Sequence, residues 1–157
     1  MQSLPPALKI GATERRYTTA PEMNNLPDVL WPRLPYKSGD LRPPVMHYGF
    51  IMKTPTVASF FRRFSHRHVQ PTIVKFNLDP EVPEWSYIEY IASDIIGHDV
   101  HIKPVYLNGF SADALILWNS YNDPKERTMT EDEKKLCLVF GREPAWYLDA
   151  VFPTWDR

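Results

Sequence analysis

Cysteine is almost missing from this sequence: Cys137 stands alone, so no internal disulfide can staple the fold. A chain so poor in thiols is expected in a reducing compartment, which points to an intracellular, cytoplasmic protein. Glycine is scarce as well, six in 157 residues. None of the six falls in a GxxxxGK[ST] or GxGxxG pattern, so the backbone cradles that hold nucleotide phosphates are missing and nucleotide-dependent chemistry is disfavoured. A GxSxG nucleophile elbow is absent too. No run approaches the roughly 18 apolar residues that cross a bilayer. Residues 1–10, MQSLPPALKI, lack the basic start and sustained apolar stretch of a secretory signal. Charge of one sign is lacking: the formal net charge is −1, which supplies no global field for nucleic acid or an anionic membrane. Membrane binding is therefore not expected, and any anionic partner needs a local basic patch.

What the chain does have is apolar and aromatic surface. Hydrophobic residues make up 43% and aromatic residues 13%, enough at this length to bury one core without metal or disulfide. Proline is the other abundant type. Eight of the sixteen fall in the first 44 residues, where they interrupt helices and remove ladder donors, so residues 1–44 read as an irregular proline-rich arm. Leu26, Val29, Leu30, Trp31, Leu34 and Tyr36 would be costly to leave in water, which predicts an arm that lies across the domain surface, or one only partly ordered. Pro32-Arg33-Leu34-Pro35 also fits the PxxP pattern of polyproline ligands.

From Val45 to residue 157 the punctuation is regular, as expected of a single domain. Val45–Met52 reads as a strand. Thr54-Pro55 then opens a helix to about Arg67, with Val57, Phe60, Phe61 and Phe64 on one stripe. Thr72–Leu78 alternates as a strand. Pro83–Ile96 predicts a second helix, with Trp85, Ile88, Ile91, Ala92 and Ile95 inward and Gly97 as its stop. Val100–Leu107 and Ala114–Tyr121 read as a hairpin around Asn108-Gly109. Thr130-Glu131-Asp132-Glu133 matches a capping box ahead of a last helix that Gly141 closes. The aromatic tail, Pro144–Asp149 and Val151–Trp155, is expected to dock against the sheet. The order β-α-β-α-β-β-α predicts a layered α+β domain.

Candidate chemistry is thin. Four of the five histidines come in close pairs, His66 with His68 and His98 with His101, and imidazoles so spaced can reach one divalent metal, with Asp94 or Asp99 as carboxylate ligands. Neither pair has HExxH or CxxC spacing, and helix ends favour histidine without any metal. Lys53, Arg62, Arg63 and Arg67 form a basic patch on the first expected helix. Residues 76–102 carry Asp79, Glu81, Glu84, Glu89, Asp94 and Asp99 with no Lys or Arg. The basic helix therefore binds an acidic macromolecule, protein or nucleic acid, or faces the acidic helix within the fold, or is simply solvated. Cys137, among Leu136, Leu138, Val139 and Phe140, reads as an inert packed thiol. Glu131, Asp132 and Glu133 sit where a helix N-terminus favours negative charge.

These features favour a small non-enzymatic binding or regulatory module, without a cofactor, that recognises a macromolecular partner through residues 53–68. The rival is a metal-assisted hydrolase with His66, His68, His98 and His101 as ligands and Asp99 as base. A third reading places a small molecule among Trp85, Tyr106 and Trp118.

Overall fold

The computed structural model describes residues 3–33, 35–53, 84–122 and 129–156. Four strands carry the architecture: β1 Met46–Ile51, β2 His101–Leu107, β3 Phe110–Asn119 and β4 Ala145–Asp149. β1 pairs with β3 and β4, and β2 pairs with the same two, always antiparallel, so the ring closes in the order β1-β3-β2-β4. This closed barrel corrects the expected layered α+β sheet of order β-α-β-α-β-β-α. The segment expected to dock as a tail is the strand that closes the ring: all five residues of β4 are buried, and they pair with β1 on one side and β2 on the other. Closure removes the free edges that an open sheet would expose. The expected helix to Arg67 and the expected strand Thr72–Leu78 lie outside the described residues.

Alternation along each strand sorts side chains to two faces. Ile51, Val105, Leu107, Ala114, Ile116, Ala145 and Tyr147 come from all four strands and fill the barrel interior. The opposite face, including Met46, Phe50, Leu115, Leu117, Trp118, Trp146 and Leu148, packs against the helices and the arm in a second, larger cluster. Between Tyr48 and Gly49 the β1–β3 register slips: Tyr48 faces Trp118 and Gly49 faces Ile116, leaving Leu117 as an extra residue. The bulge puts both Leu117 and Trp118 on the outer face.

Local chemistry sets the remaining elements. Asn108 and Gly109 both take positive φ, 49° and 97°, as a type I′ hairpin turn between β2 and β3 requires. Besides the short α1 Glu14–Tyr17, two longer helices are described, α2 Glu84–Ile96 and α3 Glu131–Phe140. α2 buries Tyr87, Ile88, Ile91, Ala92 and Ile96 and ends at Gly97, whose φ is 79°. The Glu89 carboxylate accepts from the Ile102 N–H at 2.8 Å, tying α2 to β2. α3 opens on the full capping box: the Thr130 hydroxyl accepts from the Glu133 N–H, and the Glu133 carboxylate accepts from the Thr130 N–H, both at 3.1 Å. Gly141 closes it in the left-handed conformation.

The arm adds two 3₁₀ turns, Pro6–Leu8 and Asp28–Leu30. Ala7, Leu8, Ala20, Leu26 and Leu30 are buried in the same cluster as the outer barrel face. β2 and β4 pair only at Val105–Asp149 and Tyr106–Leu148. Next to that short seam Met23 bridges Trp146 through hydrogen bonds of 3.1 and 2.8 Å, and the Asn108 N–H donates to Ala20 O at 2.9 Å. Residues 20–23 thus extend the seam that β2 leaves unfinished.

Candidate binding groove

The arm folds back on the core in short turns, and each turn sorts its residues between inside and outside. Pro27 leads into the Asp28–Leu30 turn, which places Leu30 in the core and leaves Val29 outward, 52% exposed. A second turn joins Lys37 to Asp40: the Asp40 N–H donates to Lys37 O at 3.0 Å, and the Asp40 carboxylate accepts from the Lys37 N–H at 2.7 Å. Trp31 anchors the stretch edge-on against Trp146 of β4, ring centres 5.1 Å apart. At the far end the backbones of Arg42 and Asp156 pair, and the Arg42 guanidinium sits 4.7 Å from the centre of the Tyr36 ring. The Trp155 indole N–H donates to Leu8 O at 2.9 Å, which fixes that ring beside the N-terminal turn.

Two adjoining clefts result, and Val29 and Trp155 line both. One, of about 510 Å³, is walled by Trp31, Tyr36, Pro35 and Pro43 with Arg33, Lys37 and Asp40. The other, of about 820 Å³, is walled by Leu4, Ile10, Leu26 and Pro27 with Lys9 and Asp28. Ile10 is 65% exposed. Together they form an open groove, aromatic and cationic at one end and apolar at the other. Arg33 and Lys37 are exposed and make no ion pair with a described residue. The acidic residue that lines the cleft with them is Asp40, whose carboxylate is already held by a backbone donor. Such a surface can seat apolar side chains and attract an anion beside them.

Only some of the residues singled out in the sequence are among the described ones. Arg62, Arg63, Arg67, His66 and His68 lie outside the described residues, and Lys53 is exposed two residues after β1. His98 is half exposed, with Nε2 3.3 Å from the buried Glu133 carboxylate. His101 opens β2, with Nδ1 4.0 Å from Glu89. The two histidines therefore meet different carboxylates, while Asp94 and Asp99 are exposed. Among the described residues no three His, Cys, Asp or Glu side chains gather in an arrangement that would hold a metal. Tyr106 and Trp118 pack on the large outer cluster, Trp118 stacked on Tyr48 at 4.8 Å between ring centres. Cys137 is half-buried 3.7 Å from the Glu143 carboxylate, and burial followed by that negative charge pushes its thiol up to about 11, so it is a poor nucleophile. Among the described residues no helix is long and apolar enough to cross a membrane.

Two polar groupings, one buried and one built on the buried Tyr147 with the partly exposed Glu22 and Arg142, had no signal in the sequence. His47, 2% exposed, lies on the inward parity of β1 with Nε2 3.5 Å from Asp149 of β4, and neither ring nitrogen makes an ordinary hydrogen bond. Burial alone would raise the Asp149 carboxyl; His47, the Val151 N–H and Lys103 outweigh it and hold it below the usual value. On the same strand as Asp149, the Tyr147 hydroxyl donates to the Glu22 carboxylate, which also accepts from the Arg142 guanidinium. Burial, then the Glu22 contact, raises the Tyr147 phenol far above its ordinary range. Only strand parity could have brought His47 and Asp149 together, and parity needs the register.

No match to this chain is found among protein-family models, curated proteins or solved structures. The groove must be interpreted from its own chemistry.

Proposed function

We propose that the chain is a small non-enzymatic binding module that seats a macromolecular partner in the groove along its proline-rich arm. The observation that carries this reading is the groove itself: clefts of about 510 and 820 Å³ that share Val29 and Trp155. Its walls stand on buried anchors, since Leu8, Leu26 and Leu30 hold the arm in the core while Ile10 and Val29 point out. A wall already ordered in this way loses little conformational entropy when a partner arrives. Exposed apolar side chains collected along a concave surface are what recognition sites for other chains require. The basic residues Arg62, Arg63 and Arg67 remain a second contact candidate on sequence grounds, with Lys53 earlier in the same stretch.

Lys9 lines one cleft and Lys37 the other, which makes the reading testable. Lysine-reactive cross-linking of the protein in its native extract, read by mass spectrometry, is expected to join a partner to Lys9 and Lys37. Val29→Asp with Ile10→Asp is expected to abolish those cross-links while leaving the melting temperature unchanged, because both side chains are exposed. Partner cross-links that map elsewhere, or that survive the double substitution, would overturn the reading.

A further inference from the structure

Resting on the groove reading, we infer that the occupant is an extended peptide segment in which an apolar side chain lies a few residues from a carboxylate. The two halves of the groove ask for different chemistry. Ile10, Leu26 and Val29 offer an apolar wall in which Lys9 and Asp28 cancel, so this half favours an uncharged, apolar side chain. Past the shared Val29 and Trp155, Arg33 and Lys37 oppose Asp40, while Arg42 over the Tyr36 ring is answered by Asp156, its backbone partner, whose charge acts on the same Tyr121; the balance is one net positive charge beside Trp31 and Tyr36. One net charge fits one carboxylate. A phosphorylated side chain, with close to two negative charges, would leave half of its charge unmatched. A single-stranded nucleic acid fits less well still, because it repeats a phosphate at every nucleotide while the apolar half offers no net charge along its length. An extended peptide alternates side chains along about 3.3 Å per residue, so apolar and acidic groups a few positions apart can reach the two halves at once.

The direct measurement is selection from a displayed random dodecapeptide library on the full chain, followed by fluorescence anisotropy of the enriched peptides with wild-type protein and variants. The expected outcome is a consensus pairing a large apolar residue with Asp or Glu. Affinity for such a peptide should fall about tenfold with Arg33→Glu and Lys37→Glu combined, since two exposed charge pairs become repulsive. Replacing the peptide's acidic residue by Lys should restore binding to that double variant. Apolar peptides lacking a carboxylate and indifferent to Arg33→Glu and Lys37→Glu would overturn this inference and leave the groove reading standing. Failure of any peptide to enrich, with partner cross-links still at Lys9 and Lys37, would overturn the inference in favour of a folded partner surface. Oligouridine bound by the wild type and lost on Arg33→Glu and Lys37→Glu would replace the peptide by nucleic acid.

Discussion

His47 and Asp149 show what a buried polar pair does inside a small barrel. Removing a charge from water is costly, and it is tolerated here because Asp149 has the His47 ring at 3.5 Å and the Val151 N–H at 2.9 Å. The carboxyl is held below its ordinary value, so the folded state favours the charged form more than the unfolded chain does. Its contribution to stability is therefore complete above the ordinary carboxylate range, near pH 4, and is lost as pH falls through the lower folded-state value. Asp149→Asn is expected to cost about 2–4 kcal/mol at pH 7, since it removes the charge while leaving His47 buried. Urea unfolding from pH 7 down to pH 2.5 checks this: the gap between variant and wild type should narrow only in the acid range. A gap of constant size would mean that the protonation of Asp149 is not coupled to folding.

At the scale of elements, the bulge in β3 governs how closely the strands approach. A Cβ on Gly49 would stand 1.9 Å from Leu115 O, inside any allowed contact and against backbone that cannot swing aside. Gly49→Ala is thus expected to destabilise the protein by about 3 kcal/mol or more, whereas Gly39→Ala, in open space on the Lys37–Asp40 turn, meets only the strain of its positive φ. Comparing their urea midpoints tests whether the β1–β3 spacing requires glycine; equal losses would show that it does not. Features of this local kind differ in how far the sequence reveals them. The capping box of α3, the Asn108-Gly109 turn and the Gly97 stop are legible because the determining groups lie within four residues of one another. The pairing of β4 with both β1 and β2 is not, because its partners are far away in the chain and β4 is buried on both faces, which erases the alternation that marks a strand. Reading its aromatic residues as a docking tail followed from that missing period.

For the whole molecule, the arm is where sequence and structure diverge most in meaning. Its apolar residues and prolines are visible, but which of them turn inward is decided by the 3₁₀ turns and by contacts with Trp146 and Trp155, more than 100 residues away. The groove was accordingly illegible: Val29 and Leu30 look alike in the sequence and end on opposite sides of the arm's surface. The basic residues at 62, 63 and 67 stand out in the sequence because a charge cluster needs no fold to be visible. The short β2–β4 seam gives the arm a structural duty beside its proposed binding role, since Met23 pairs with Trp146 where β2 has ended, and the hairpin tip donates to Thr18 O and Ala20 O. A barrel sealed in this way should not unfold independently of its arm. Leu30→Ala, at a fully buried arm position, is expected to lower stability by about 2–4 kcal/mol. The loss should appear as one cooperative urea transition, with the same midpoint by tryptophan fluorescence and by far-ultraviolet circular dichroism. Val29→Asp next to it should leave that midpoint within about 0.5 kcal/mol of wild type. Two separated transitions, with Leu30→Ala shifting only the first, would mean that the arm melts off a barrel able to stand without it, and the groove would then be a surface the protein can assemble and dissolve.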